Sequence, residues 1–165
     1  MALIKTELEI ERIRNSSLLV GKTIAEVARH IKPGVTTLAL DKIAEEFIRD
    51  HKAKPAFKGY HGYPATLCIS VNEIVVHGIP GKRELKEGDL VSIDCGTVID
   101  GYYGDSAFSF GIAPMVTEVE LLMQRTHQSL LKSIASVTAG KRVGDIGYEV
   151  QTYVESFGYS VVRDL

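Results

Sequence analysis

An Asp-Gly dipeptide at residues 100 and 101 lies between two segments of alternating polarity, and that arrangement constrains the fold more than any other feature of the chain. Asp-Gly supplies the two positive φ angles that a tight hairpin turn needs, so it reads as a two-residue loop joining antiparallel strands. The register follows by arithmetic: paired positions sum to 201, which sets Asp105 opposite Gly96. Asp94 and Asp105 are then diagonal neighbours on one face, with backbones about 7 to 8 Å apart. Carboxylates leaning together across that gap can chelate one ion or bridge two held about 3.5 to 4 Å apart.

Alternation predicts what each face does. In residues 90–96, Val91, Ile93 and Cys95 form an apolar side and Ser92 and Asp94 look the other way. In 105–110, Phe108 and Phe110 are apolar, while Asp105, Ala107 and Ser109 share the opposite side. Gly96 and Gly104 are expected to leave room beside the carboxylates for ions and a substrate. Either aspartate alone would read as a solvated turn residue; the shared face and the glycines favour a metal site.

Composition limits the alternatives. A chain of 165 residues with 45% hydrophobic content can bury a core as one domain, or as part of one. Nineteen basic and 21 acidic residues give a net charge of −2 without long runs of either sign, which leaves no electrostatic footprint for nucleic acid. The first residues lack the apolar region of a signal peptide, and no apolar run is long enough to span a bilayer, so a cytoplasmic location is expected. Cys68 and Cys95 form no Cys-x-x-Cys unit and are expected as free thiols. Cys95 reads as a small buried hydrophobe, and His30, His51 and His127 as solvated helix residues.

The chain also repeats its organisation. Thr6 with Glu9 predicts a capping box opening a helix through Leu8, Ile13, Leu19, Ile24, Val27 and Ile31, stopped by Pro33-Gly34. A second helix follows, burying Leu40, Ile43, Ala44, Phe47 and Ile48. Thr117 with Glu120 predicts another capping box, opening a helix that closes near Gly140, and again a second helix follows. A shift of 106 residues aligns Gly34 with Gly140, Leu40 with Ile146, Ala44 with Val150 and Phe47 with Tyr153. The first helix pair leads into strands at 66–77 and in the aspartate hairpin; the second leads to a strand expected at 159–162, where its sheet is cut short.

Five segments, in order, resemble the type I methionine aminopeptidases: Tyr60-His61-Gly62-Tyr63-Pro64, Cys68 to Glu73, Val76 to Pro80, Gly88 to Asp94 and Asp100 to Ser106. The resemblance implies an α+β pita-bread fold, with the first α/β half complete over 1–113 and the second, 114–165, truncated after its helix pair. It implies an incomplete metallopeptidase domain whose full-length form removes the initiator methionine from nascent chains. Two divalent ions, Mn, Fe, Co or Zn, are implied as cofactors, with Asp94 and Asp105 as ligands. The remaining ligands, a histidine and two glutamates, are expected beyond Leu165, so this chain alone is expected to be inactive. By the same resemblance His77 is the catalytic histidine that bonds the substrate amide. Tyr60, His61, Tyr63 and Cys68 line the pocket for the methionine side chain, with Phe57 at its lip. The implied partner is the N-terminal Met of nascent peptides near the ribosome, and the full-length protein is expected to be a monomer without membrane or nucleic-acid contacts. Two other readings share the hairpin: a proline-specific pita-bread peptidase, which should lack the tyrosine-rich segment, and a binding scaffold that has lost catalysis.

Overall fold

The computed structural model describes residues 4–163. Residues 1–3, read above as lacking a leader, and 164–165, at the expected truncation, lie outside the described residues. The chain divides into two compact units, Met1–Met115 and Val116–Leu165.

The first unit is a four-stranded antiparallel sheet with two helices on one face. Helix α1 spans Glu7–Ala28 and opens with the predicted capping box: Thr6 Oγ1 accepts from Glu9 N at 3.3 Å and Glu9 Oε2 accepts from Thr6 N at 2.8 Å. The helix ends three residues before Ile31. Helix α2, Thr37–Asp50, buries Leu40, Ala44 and Ile48 completely, four residues apart on one stripe, with Ile43 and Phe47 partly buried beside them. Full burial of a Leu or Ile stabilises by roughly 1.5–3 kcal/mol, so this stripe carries the docking of α2.

Strands β1 (Lys54–Pro55), β2 (Leu67–Val71), β3 (Leu90–Ile99) and β4 (Tyr102–Gly111) form the sheet. Along one edge β3 pairs with β4 over its whole length, and β1 and β2 share the other edge. The hairpin register is the predicted one: Ile99 pairs with Tyr102 and Gly96 with Asp105. Asp100 and Gly101 have φ of 51° and 82°, as a type I′ turn requires. Val91, Ile93 and Cys95 are fully buried and pack with Leu19, Val20, Leu40 and Ile48. Phe110 joins this cluster, whereas Phe108, on the same face, is 49% exposed.

Two expectations about strands and glycines are corrected. The strand predicted at 66–77 stops at Val71. Asn72 turns to a φ of +55° and its side chain is spent on a turn network, donating to Asp89 Oδ1 and accepting from Leu90 N, each at 2.8 Å. Gly104 is not beside the carboxylates. It alternates with Asp105 and so faces α1, where a Cβ would lie 2.5 Å from Ser17 N and 2.6 Å from the Ser16 carbonyl carbon. That close approach lets Ser16 Oγ reach Thr97 Oγ1 at 2.9 Å, and Thr97 Oγ1 donate to Ser16 O at 3.0 Å, pinning helix to sheet through a buried pair.

The second unit is a helix pair, α3 (Thr117–Ser136) and α4 (Val143–Glu155). They pack on each other, with the Tyr153 hydroxyl bonded to Gln128 Oε1 and the Arg125 guanidinium 3.9 Å from the centre of the Phe157 ring. The second capping box does not form. Val116 is the N-cap, no side chain caps the helix, and Thr117 is already its first residue. Residues 159–162 form no strand. Tyr159 N is used instead to close α4, donating to Val154 O at 3.2 Å around Gly158 at φ +82°. No helix among the described residues is long and apolar enough to cross a membrane.

Candidate metal centre and pocket

The face of the sheet turned away from α1 and α2 is polar, and its residues form a grid fixed by strand register. One row runs Ser70, Ser92, Ser109 and the next Cys68, Asp94, Ala107. Asp105 lies opposite Gly96, one step further along and diagonal to Asp94. Pleating therefore brings the two carboxyls together without any loop having to reach for the site, as the sequence arithmetic anticipated.

The electrostatics record how close they are. Burial, then the neighbouring Asp105 carboxylate, pushes the Asp94 carboxyl up to about 6. His77 pulls in the opposite direction, as does the backbone N–H of Cys95, but neither offsets the first two effects. A half-buried carboxyl in contact with an exposed carboxylate favours a proton or a cation between them. Hard oxygen donors of this kind suit a divalent ion, so the donor set fits a metal. It is a partial set: among the described residues no group of three or more His, Cys, Asp or Glu side chains comes together as a metal cluster.

The other predicted site residues separate into those near the pair and those away from it. Cys68 sits directly across from Asp94 and is buried. Burial raises its thiol, as do Asp94, Asp105 and Asp41, so it remains protonated despite a hydrogen bond to Tyr63. The Tyr63 phenol is also raised, first by burial and then by Cys68, Asp41 and Asp94. Both groups thus present neutral, polarizable surface beside the carboxylates. Phe57 lies over Gly96, where a Cβ would meet its ring at 2.6 Å and the Ala56 Cβ at 2.8 Å. Gly96 therefore makes room for the Phe57 ring, which corrects the expectation that it leaves space for ions. Tyr60 and His61 are on an exposed 3-10 turn, Tyr60–Gly62, packed edge-on to each other with ring centres 4.4 Å apart.

His77 stands within the loop between β2 and β3, in the left-handed region, with φ +57°. Such a conformation costs a non-glycine residue about 1–3 kcal/mol and persists where neighbours enforce it. Asp41 was not singled out from the sequence. Its buried Oδ1 accepts from Thr66 N at 2.9 Å and Leu67 N at 2.8 Å, fixing the start of β2 just ahead of Cys68. A helix-face aspartate gives no sequence signal of that task. The two cysteines are free, and they occupy adjacent strands on opposite faces.

Residues 11–165 match the model of metallopeptidase family M24. The methionine aminopeptidase of Clostridium acetobutylicum is 47% identical over 165 residues, covering 99% of this chain, which spans 66% of that relative's length. Crystal structures of the methionine aminopeptidases from Rickettsia prowazekii and Thermotoga maritima superimpose with a TM-score of 0.97, at 39% and 40% identity, over 99% of this chain and 66% of theirs. The α+β fold is accordingly the pita-bread fold. The chain belongs to metallopeptidase family M24.

Proposed function

We propose that this chain carries the substrate-facing part of a type I methionine aminopeptidase, a metal-dependent hydrolase that removes the initiator methionine from nascent proteins in the cytoplasm. The observation that carries the reading is the convergence of Asp94 and Asp105 on one face, with His77 acting on the same carboxyl. The names of the relatives support the choice of substrate. In this reading residues 1–113 and 114–165 are the first half and the beginning of the second half of one catalytic domain, acting as a monomer on peptides near the ribosome.

Asp94 and Asp105 would hold two divalent ions, among Mn, Fe, Co and Zn, together with further ligands, since among the described residues no group of three or more His, Cys, Asp or Glu comes together. When bound, such ions supply Lewis acidity that polarises a carbonyl. The chain's own side chains do the rest. Cys68 and Tyr63, neutral because burial raises both, receive a thioether, with Tyr60 and His61 at the exposed side and Phe57 at the lip. The His77 imidazole hydrogen-bonds the substrate amide and donates toward charge developing on its oxygen.

Titration of the purified chain with Mn2+, followed by electron paramagnetic resonance, tests the site. Weak binding is expected, with a dissociation constant on the order of 10⁻⁴ to 10⁻³ M as for sparse oxygen sites, and lost in both Asp94→Ala and Asp105→Ala. Binding unchanged by either substitution would overturn the assignment. Release of methionine from a Met-Ala peptide by this chain should stay near background, because two carboxylates do not fix the geometry hydrolysis needs.

A further inference from the structure

Strand β2 presents its outer edge to a loop, and that loop delivers His77. Ile69 N donates to Gly78 O at 2.8 Å, a single backbone bond about which the following peptide could swing. Two hydroxyls act on either side of it. Ser70 Oγ accepts from Gly78 N at 3.2 Å, and the Tyr63 phenol lies 3.2 Å from Gly78 O and 3.0 Å from Leu67 O, sharing one proton between two carbonyls. Gly78 leaves no room for a side chain against the strand: a Cβ there would be 2.2 Å from Ile69 O and 2.8 Å from the Ile69 carbonyl carbon, both backbone atoms. Ser70 also differs from its row neighbours, because Ser92 and Ser109 spend their hydroxyls on each other at 2.8 Å.

We infer that Ser70 and Tyr63 are positioning residues for His77, their hydroxyls clamping the N–H and C=O of Gly78 to β2 and so fixing the backbone from which the imidazole projects. The residue before the clamp is the one held at φ +57°, a conformation a free loop rarely keeps, and fixing both the N–H and the C=O of the next residue is what selects it. Tyr63 thus has a second task beside lining the pocket. The functional meaning of the clamp rests on the reading of His77 as the substrate-facing group; the clamp itself can be measured without turnover or metal.

Labelling histidine ring carbons gives signals from five residues, with His77 assigned through His77→Gln. With Ser70 and Tyr63 native, Asp94→Asn should move the His77 signal, because the ring and that carboxyl interact electrostatically. In Ser70→Ala and in Tyr63→Phe the response should fall by at least half, and exchange of the Gly78 amide should quicken at least tenfold. Ser70→Thr, which keeps a hydroxyl, should restore both. The His51 signal reports an intact fold, since its Nδ1 contacts Phe47 O at 2.8 Å. Should Ser70→Ala lose it, Tyr63→Phe, which removes only a phenolic oxygen, decides. The inference is overturned if a folded variant keeps the native His77 response and Gly78 protection, or if Asp94→Asn leaves the native His77 signal unmoved. Loss of Mn2+ binding bears on the proposed function alone and would leave these readouts as they are.

Discussion

Asp105 pairs across the hairpin with Gly96 and so presses diagonally against Asp94, whose own partner is Ala107. Within the hairpin, neither partner position carries a side chain larger than a methyl. Burial first, and then the neighbouring Asp105 carboxylate, push the Asp94 carboxyl from the ordinary 3.8 up to about 6.

That shift sets a pH dependence. A carboxyl whose folded pKa is raised contributes stability that is fully present below 3.8 and is lost as pH rises through about 6. The metal-free chain should therefore lose stability between pH 4 and 7 relative to an Asp94→Asn variant. The difference should be on the order of 1 kcal/mol after allowing for solvent screening at a half-exposed group. Urea unfolding of both proteins at pH 5 and 7.5 measures it, and the Asn variant cancels contributions from other groups, including Asp41, which is also raised by burial. Millimolar Mn2+ at pH 7.5 should recover the loss in the native chain only. A gap between the two proteins that grows in favour of the native chain as pH rises would contradict the assignment.

The hairpin pair was legible in the sequence because it depends only on a turn dipeptide and a period of two. What surrounds it was not. That Gly104 admits α1 and Gly96 admits Phe57 depends on contacts between segments tens of residues apart, for which local pattern carries no signal. The helix pair at the chain's second half was readable from its apolar spacing. Its cap was not, because Val116 and Thr117 compete for the same position and the helix took the earlier one. The strand expected at 159–162 had the right composition, but a strand exists only through a partner, and Tyr159 N already serves α4.

Two glycines of the hairpin should respond to alanine for different reasons. At Gly104 the new Cβ meets backbone of α1 at 2.5 Å, and backbone cannot yield without shifting the helix. A loss of about 1–3 kcal/mol or more is expected. At Gly101 nothing lies within 4 Å, but φ is +82°, so the cost is conformational, about 1 kcal/mol. Urea midpoints should fall further for Gly104→Ala than for Gly101→Ala. The Ser16–Thr97 pair should loosen only in the former, seen as faster exchange of amides in α1 around residue 16. Equal losses with equal exchange would mean that α1 does not rest on Gly104.

The contact between Phe57 and Gly96 can be isolated by a double-mutant cycle. Gly96→Ala introduces a Cβ 2.6 Å from the Phe57 ring and 2.8 Å from the Ala56 Cβ, so the ring must move and the Ala56 segment must give way. Alanine at 96 should destabilise the native chain, and Phe57→Ala alone should also cost stability by uncovering the sheet. Combined, the two should cost less than their sum, with a coupling of about 1 kcal/mol, because removing the ring relieves one of the two clashes and leaves that with Ala56. The Ala56 clash persists in both backgrounds, so the coupling reports the ring alone. Strict additivity in urea unfolding would show that Phe57 does not rest on Gly96, and with it would fall the placement of that ring at the lip beside Asp94 and Asp105.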